Sequence, residues 1–342
     1  MKIVIPGGTG QVGQLLARAF VARGDTVTVI SRPHAAKYPH TSLLPPAVRQ
    51  VSWDGRTVEE WAREIDGADA VINLAGRSVN CRYTPENLKQ MMDSRIDSTR
   101  AVGVAIAQAK HPPKVWLQMS TATIYSHRFD APNDEASGQI GGSEPDAPAY
   151  WKYSIDIAQA WESTQAEAAT SGTRKVALRS AMVMSADRGG IFDVLVGLTR
   201  KGLGGAIAGG RQYMSWIHER DFVAAVTFLL TRENISGPVN LVAPEPLPQR
   251  EFMAILRQAL GVRVGLPATA WMVKLGAIFM RTDAELVLKS RRVVPGRLLA
   301  ADFDFAFPHW PAAAADLVAR WRNPHAPAAP VARPPVPQPP AV

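Results

Sequence analysis

One cysteine stands in the whole chain, Cys81. That excludes an internal disulfide and every cysteine-based zinc site, and leaves the thiol as incidental. No run of eighteen apolar residues occurs, so no segment is expected to span a bilayer. An apolar strand beginning at Lys2 leaves no room for a signal sequence, and a cytoplasmic protein without a membrane partner is expected. The net charge of +8 would suit a polyanion. The lysines and arginines are scattered, however, with no dense basic run and no aromatic-interleaved stripe, so nucleic acid is not expected. No histidine pair has metal-ligand spacing and no Gly-x-Ser-x-Gly elbow is present, so neither a metal centre nor a hydrolase nucleophile is expected.

What is present is alternation. From Lys2 to about Asp187, short apolar runs (KIVIP, DTVTVIS, VRQVSW, ADAVINLAG, KVWLQMS, RKVALRSAMVM) alternate with amphipathic stretches such as QVGQLLARAFVARG and SRIDSTRAVGVAIAQA. Apolar strands separated by helices imply βαβ units and a parallel sheet covered on both faces. Val12, Leu15, Leu16, Ala19 and Phe20 recur at helical spacing and give the first helix one apolar face. The pattern predicts an α/β fold: a Rossmann-type doubly wound parallel sheet over residues 1–187, with a returning segment at about 215–243. Residues 188–214 and 244–320 are expected to form a smaller, mostly helical C-terminal lobe that holds substrate. Residues 321–342, rich in proline and alanine, read as a disordered or polyproline tail that is inert or offers a partner a recognition segment. The oligomeric state has no signature here.

The first turn, IVIPGGTGQVG, lies between the first strand and the first helix. Gly7 permits the turn, Gly10 lets the backbone approach a pyrophosphate and Gly13 lets helix and strand pack closely, so a dinucleotide is expected there. A P-loop is excluded, because Gln14 stands where a lysine would be needed. At the end of the second strand, where an acid would take NAD's ribose hydroxyls, the chain has Ser31 and Arg32. A hydroxyl and a guanidinium hold a 2′-phosphate that a carboxylate would repel, so NADP is the expected cofactor; otherwise Arg32 is a solvated loop charge.

GGTGQVG with NLAG after the fourth strand resembles the extended and atypical short-chain dehydrogenase/reductase superfamily. The blocks NLAGRSVN, MMDSRIDSTR, AQAWES, LGGAIAGGRQYMSWIHERD, SGPVNLVAPEP and RRVVPGRLLAADFDFAFP resemble its atypical "epimerase family protein" group, over about residues 1–320. That resemblance implies an NADP-binding core followed by a small C-terminal domain of unknown function. It also implies Thr9, Gln11 and Val12 on the pyrophosphate, Ser31 and Arg32 on the 2′-phosphate, and Asn73, Leu74 and Ala75 beside the riboses. Arg95 matches an arginine facing the cofactor; from its residues alone it is equally a surface charge or a partner of Asp93, Asp97 or another acid. Arg179, ending the strand KVALRS, joins the cofactor-binding set and faces the cleft.

Short-chain reductases pair a tyrosine with a lysine four residues later, which one helical turn brings to the same face. Four residues after Tyr38, Tyr83, Tyr125, Tyr150, Tyr153 and Tyr213 stand Ser42, Asn87, Phe129, Ser154, Ile157 and Ile217, so no such pair exists. Lys152 adjoins Tyr153, but helix neighbours point about 100° apart. In QMSTATIYS, Ser120 or Thr121 could polarise a carbonyl, or bond its own backbone at the strand end. Tyr153 is the best-placed phenol and His218 the alternative acid or base, with Tyr213 and Trp216 as aromatic walls and Asp221 as a helix cap. The expected function is an NADP(H)-dependent oxidoreductase acting on a small organic substrate. The alternatives are an epimerase or dehydratase that retains its cofactor, and a non-catalytic NADP(H)-sensing protein.

Overall fold

The computed structural model describes residues 1–33, 44–279 and 282–323. Tyr38 and the proline-rich segment 324–342 lie outside them. The strands are β1 (Lys2–Pro6), β2 (Thr26–Ser31), β3 (Arg49–Ser52), β4 (Ala70–Asn73), β5 (Val115–Thr121), β6 (Arg174–Ser180), β7 (Met182–Met184), β8 (Tyr213–Met214), β9 (Trp216–His218), β10 (Gly237–Leu241) and β11 (Leu247–Pro248). The helices are α1 (Gln11–Ala22), α2 (Pro85–Gln108), α3 (Lys152–Glu167), α4 (Ile191–Arg200), α5 (Glu219–Thr231), α6 (Gln249–Leu260), α7 (Ala270–Phe279), α8 (Glu285–Leu288), α9 (Gly296–Ala300) and α10 (Trp310–Arg322).

Seven strands form one parallel sheet in the order β10-β6-β5-β4-β1-β2-β3. The near-continuous apolar runs of β1, β2 and β4 follow from burial on both faces. One face carries α1 and α5 over Ile3, Leu16, Phe20, Leu117 and Phe222. The other carries α2 and α3 over Val4, Val71, Val102 and Trp116. Strand order reverses between β1 and β4, which opens a crevice above their carboxyl ends.

After β6 the chain builds a second core from α4, α6 and α10, where Phe252 stacks on Trp310 at 3.9 Å and Trp216 packs beside it. The stretch from Trp216 to Leu241 returns to the sheet as α5 and β10. Trp321 and Arg322, expected in the tail, lie in a helix. Helix α10 runs to Arg322 because Trp321 is buried in this second core and its indole donates to Asp193. Among the described residues no helix is long and apolar enough to cross a membrane, and no cluster of three His, Cys, Asp or Glu could hold a metal ion.

Candidate functional site

The glycine turn sits at the crevice. Gly7 adopts φ +77°, and a Cβ there would stand 2.6 Å from the Ala75 nitrogen, so only glycine lets β1 meet the end of β4 this closely. A Cβ on Gly13 would lie 2.4 Å from Gly8 Cα, which is the tight helix–strand approach the spacing implied. Gly10 differs: its Cβ would meet only the Gly7 carbonyl at 3.6 Å, which leaves the space above it open. Gly10 gives α1 no side-chain cap, so the first-turn N–H groups at Gln11, Val12 and Gly13 face the crevice with the positive end of the helix dipole. Gln14 Nε2 donates to the Thr9 carbonyl at 2.7 Å and fixes the loop. Val12 packs against the core, and the Gln11 amide turns toward Gly190, where its buried Nε2 has no partner.

At the end of β4, Asn73 is fully buried; its Nδ2 donates to Gln118 and its Oδ1 accepts from the Ala75 N–H at 3.1 Å. It therefore shapes the Leu74–Ala75 turn with its side chain. Ser31 is half-buried and Arg32 exposed at the end of β2. An open glycine, uncapped helix amides and an exposed cation just after the neighbouring strand fit the phosphates of a dinucleotide.

Arg95 on α2 is neither a surface charge nor a partner of Asp93 or Asp97. It is buried along Gly76, with its guanidinium 4.7 Å from the Trp161 ring and its Nη1 donating to the carbonyls of Arg77 and Met91 at 3.0 Å each. Burial lowers its pKa to about 10, with only Tyr83 and Cys81 opposing the shift. A desolvated cation without a carboxylate suits an anion or a lone-pair oxygen in the crevice.

Three expected site residues are engaged elsewhere. Ser120 Oγ is buried and donates to Glu162 at 2.5 Å. Arg179 grips the same carboxylate through Nε at 2.9 Å and Nη2 at 2.8 Å, and its Nη1 donates to the Tyr125 hydroxyl, which donates to Asn240. Arg179 is thus neutralised between β6 and α3, and Ser120 is bound into the same network. His218 is fully buried; Nδ1 accepts from the Arg220 N–H, capping α5, and Nε2 faces Asp316 at 3.0 Å with Phe307 stacked on the ring. One nitrogen caps α5 and the other faces Asp316 of α10, so His218 has no path to act as an acid or base in the crevice. Asp221 does not cap α5 but accepts from the Ala306 and Phe307 N–H groups, and Trp216 is core. Thr121 is half-buried at the strand end and accepts from the Thr123 N–H at 3.1 Å, so its own hydroxyl proton is still available. Tyr153 is half-buried on α3.

A polar group missed in the sequence lies where the C-terminal lobe meets the core. Glu285 is fully buried; its Oε2 accepts from Ser154 Oγ at 2.6 Å, and its Oε1 accepts no hydrogen bond, with Lys289 Nζ 3.9 Å away. The Tyr83 hydroxyl is half-buried near Ser154 and feels the charges of Glu285 and Arg291. Lys289 Nζ donates to the Thr123 carbonyl and Arg291 Nε to Thr123 Oγ1, tying the lobe to the loop after β5. Burial raises the pKa of Tyr83, helped by the Glu285 carboxylate, and burial also raises that of Glu285. Burial and the Arg291 charge lower Lys289 to about 8. The hollow beside this wall, about 420 Å³, is lined by Asn80, Cys81, Arg82, Thr84, Asn87 and Ile278. Tyr83 failed the sequence search because its cations come from α2 and from Arg291, far along the chain. The only signal was an acid and a lysine four apart, Glu285 and Lys289, separated by the apolar Leu286, Val287 and Leu288.

The model of the NAD dependent epimerase/dehydratase family matches residues 3–241, and that of a domain of unknown function, DUF1731, matches residues 268–317. The human epimerase family protein SDR39U1 is 31% identical over 322 residues, covering 93% of this chain and 100% of that protein. The epimerase family protein SA0724 of Staphylococcus aureus is 29% identical, with 93% and 99% covered. The crystal structure of human SDR39U1 (isoform2) with NADPH superposes with a TM-score of 0.79 at 29% identity, over 93% of this chain and 99% of that one. The Bordetella bronchiseptica enzyme WbmG in complex with NAD, 16% identical with a TM-score of 0.72 over 94% of each chain, shares the fold. With the family model matched across most of its length, the chain belongs to the NAD dependent epimerase/dehydratase family.

Proposed function

We propose that this protein is an NADP(H)-dependent oxidoreductase of the short-chain type that reduces the carbonyl of a small organic substrate, with Tyr83 as proton donor. The observation that carries the reading is Tyr83 set beside the Ser154–Glu285 hydrogen bond, which joins the core to the C-terminal lobe, with the buried Arg95 next to it. NADP(H) is supported by the open cradle at Gly10, by Ser31 and Arg32 where an acid would be needed for NAD, and by the human relative crystallised with NADPH. Thr9, Gln11 and Val12 would meet the pyrophosphate, Leu74 and Ala75 the riboses.

When bound, the cofactor supplies the hydride. The residues manage the proton. Tyr83 keeps its hydrogen at neutral pH because burial and the Glu285 charge disfavour the phenolate, so it acts as a donor rather than a base. Its proton passes to the oxygen that gains charge as the carbonyl is reduced. Arg95 and Arg291 then stabilise the phenolate left behind until a proton from solvent restores the phenol. Thr121 is the second hydroxyl within the strand-end wall.

The test is a fluorescence titration with NADPH and NADH, followed by a panel of aldehydes, ketones and quinones. NADPH should bind more tightly than NADH and be oxidised by a carbonyl compound. Tyr83→Phe should lower kcat about a hundredfold or more, the usual share of a general acid, with NADPH affinity unchanged. NADH preference would overturn the cofactor reading. The Glu285–Lys289 pair also offers a second acid and base, which favours an epimerase with retained cofactor as the second reading; substrate would then isomerise without net NADPH loss. A sensing protein would bind NADPH and be indifferent to Tyr83→Phe.

A further inference from the structure

We propose that the C-terminal lobe docks onto a bilayer surface bearing anionic lipids, through α7 and the two segments beside it. Helix α7 buries almost nothing: among its described side chains only Ala277 is buried. Trp271, Met272, Leu275 and Ile278 fall at i, i+1, i+4 and i+7, one helical face, and Trp271 is 66% and Ile278 51% exposed. Val264 and Leu266, 58% and 57% exposed, continue the patch from the segment after α6. Leu203, after α4, joins it through the Leu266 N–H donated to the Gly202 carbonyl at 2.7 Å. Soluble proteins scatter exposed apolar side chains singly, and a contiguous patch of this kind marks a docking surface.

Charge identifies the occupant. From Val194 to His218 and from Phe252 to Thr282 the chain contains no aspartate or glutamate. Lys201, Arg263 and Lys274 are exposed among the apolar residues. An apolar ridge with tryptophan, leucine and isoleucine, flanked only by cations, is the composition of a helix that lies in a lipid interface, the cations reaching phosphate headgroups as their stems snorkel. A second copy of the chain fits less well, since twofold pairing of this face would set Lys274, Arg263 and Lys201 against their like-charged counterparts. The expectation of no membrane partner rested on the lack of a spanning run, which a peripheral contact does not need.

The test is co-sedimentation of the full chain with phosphatidylcholine vesicles, with and without phosphatidylglycerol, alongside gel filtration without lipid. Binding is expected to the phosphatidylglycerol vesicles only, and to weaken as salt rises. The double variant Trp271→Ser/Leu275→Ser should weaken it about tenfold or more, and Lys201→Glu/Lys274→Glu, which alters only exposed residues and so leaves the fold intact, should do the same. NADPH affinity should be unchanged in both variants, which separates this outcome from that of the proposed activity. No binding to anionic vesicles, binding indifferent to both variants, or a dimer in gel filtration that the apolar variant dissolves would each overturn the proposal.

Discussion

Removing Glu162 separates a structural role for Ser120 and Arg179 from the catalytic and cofactor roles that their positions suggested. The Glu162 carboxylate accepts two bonds from Arg179 and one from Ser120, and the side chains of Arg179 and Glu162 are only 10% and 16% exposed. Glu162→Ala would leave a buried guanidinium with the Tyr125 hydroxyl as its remaining bond and no counter-charge. Breaking a buried pair by deleting one partner costs about 3–5 kcal/mol, chiefly as desolvation of the charge left behind. Glu162→Gln keeps an acceptor and should lose about half of that. The double variant Glu162→Leu/Arg179→Met removes both charges together and should fall within about 1–2 kcal/mol of wild type, because an apolar pair of similar volume fills the same space. Urea unfolding, followed by circular dichroism and read as the midpoint at constant slope, measures each variant. NADPH affinity, measured on the same samples, should stay within about twofold, since the network ties β6 to α3 and none of its hydrogen bonds reaches the glycine turn. A cost below about 1 kcal/mol for Glu162→Ala would refute the buried-pair argument. A tenfold loss of NADPH affinity in Arg179→Met with stability intact would restore Arg179 to the cofactor site.

The two glycines of the turn should behave oppositely. Gly13→Ala drives a methyl into Gly8 and should cost about 3 kcal/mol or more of stability by thermal melting; Gly10→Ala meets only the Gly7 carbonyl at 3.6 Å and should fold normally while losing about tenfold or more in NADPH affinity by fluorescence. Asp316 supplies a pH signature. Burial alone would raise its pKa, but the hydrogen bond from His218 and the charge and bond of Arg320 hold it below the ordinary carboxylate value. Its contribution is therefore present above the unfolded value near pH ~4 and is lost as pH falls through the lower folded value. Asp316→Asn should lower stability at pH 7 and flatten the decline below about pH 4 in a series of urea melts; an unchanged acid limb would show that Asp316 is not held by those partners.

The doubly wound core was legible because parallel strands buried on both faces must be apolar almost throughout, and because a turn that brings Gly7 to within van der Waals contact of Ala75 tolerates no other residue. Ser120, Arg179 and His218 misled for one reason. Each is a polar residue at the end of a strand, a position shared by catalytic side chains and by side chains that knit the sheet to its helices, and only the tertiary partner distinguishes the two. Glu162, from α3, claims Ser120 and Arg179; Asp316, from the last helix, claims His218. The search for a phenol paired with a lysine one helical turn away presumed that the cation must come from the same helix. Here Tyr83 precedes α2, its cations arrive from α2 and from the segment after α8, and the acid whose charge it feels lies on α8. A site assembled from segments so distant in sequence has no local spacing to detect. What it does leave is a thermodynamic trace: an acid and a lysine buried together in the lobe, a burden on stability that packing alone would remove. By that argument Glu285→Leu/Lys289→Met should make the protein more stable as turnover falls with the changed field at Tyr83, whereas a purely structural pair would give no such opposition between stability and turnover.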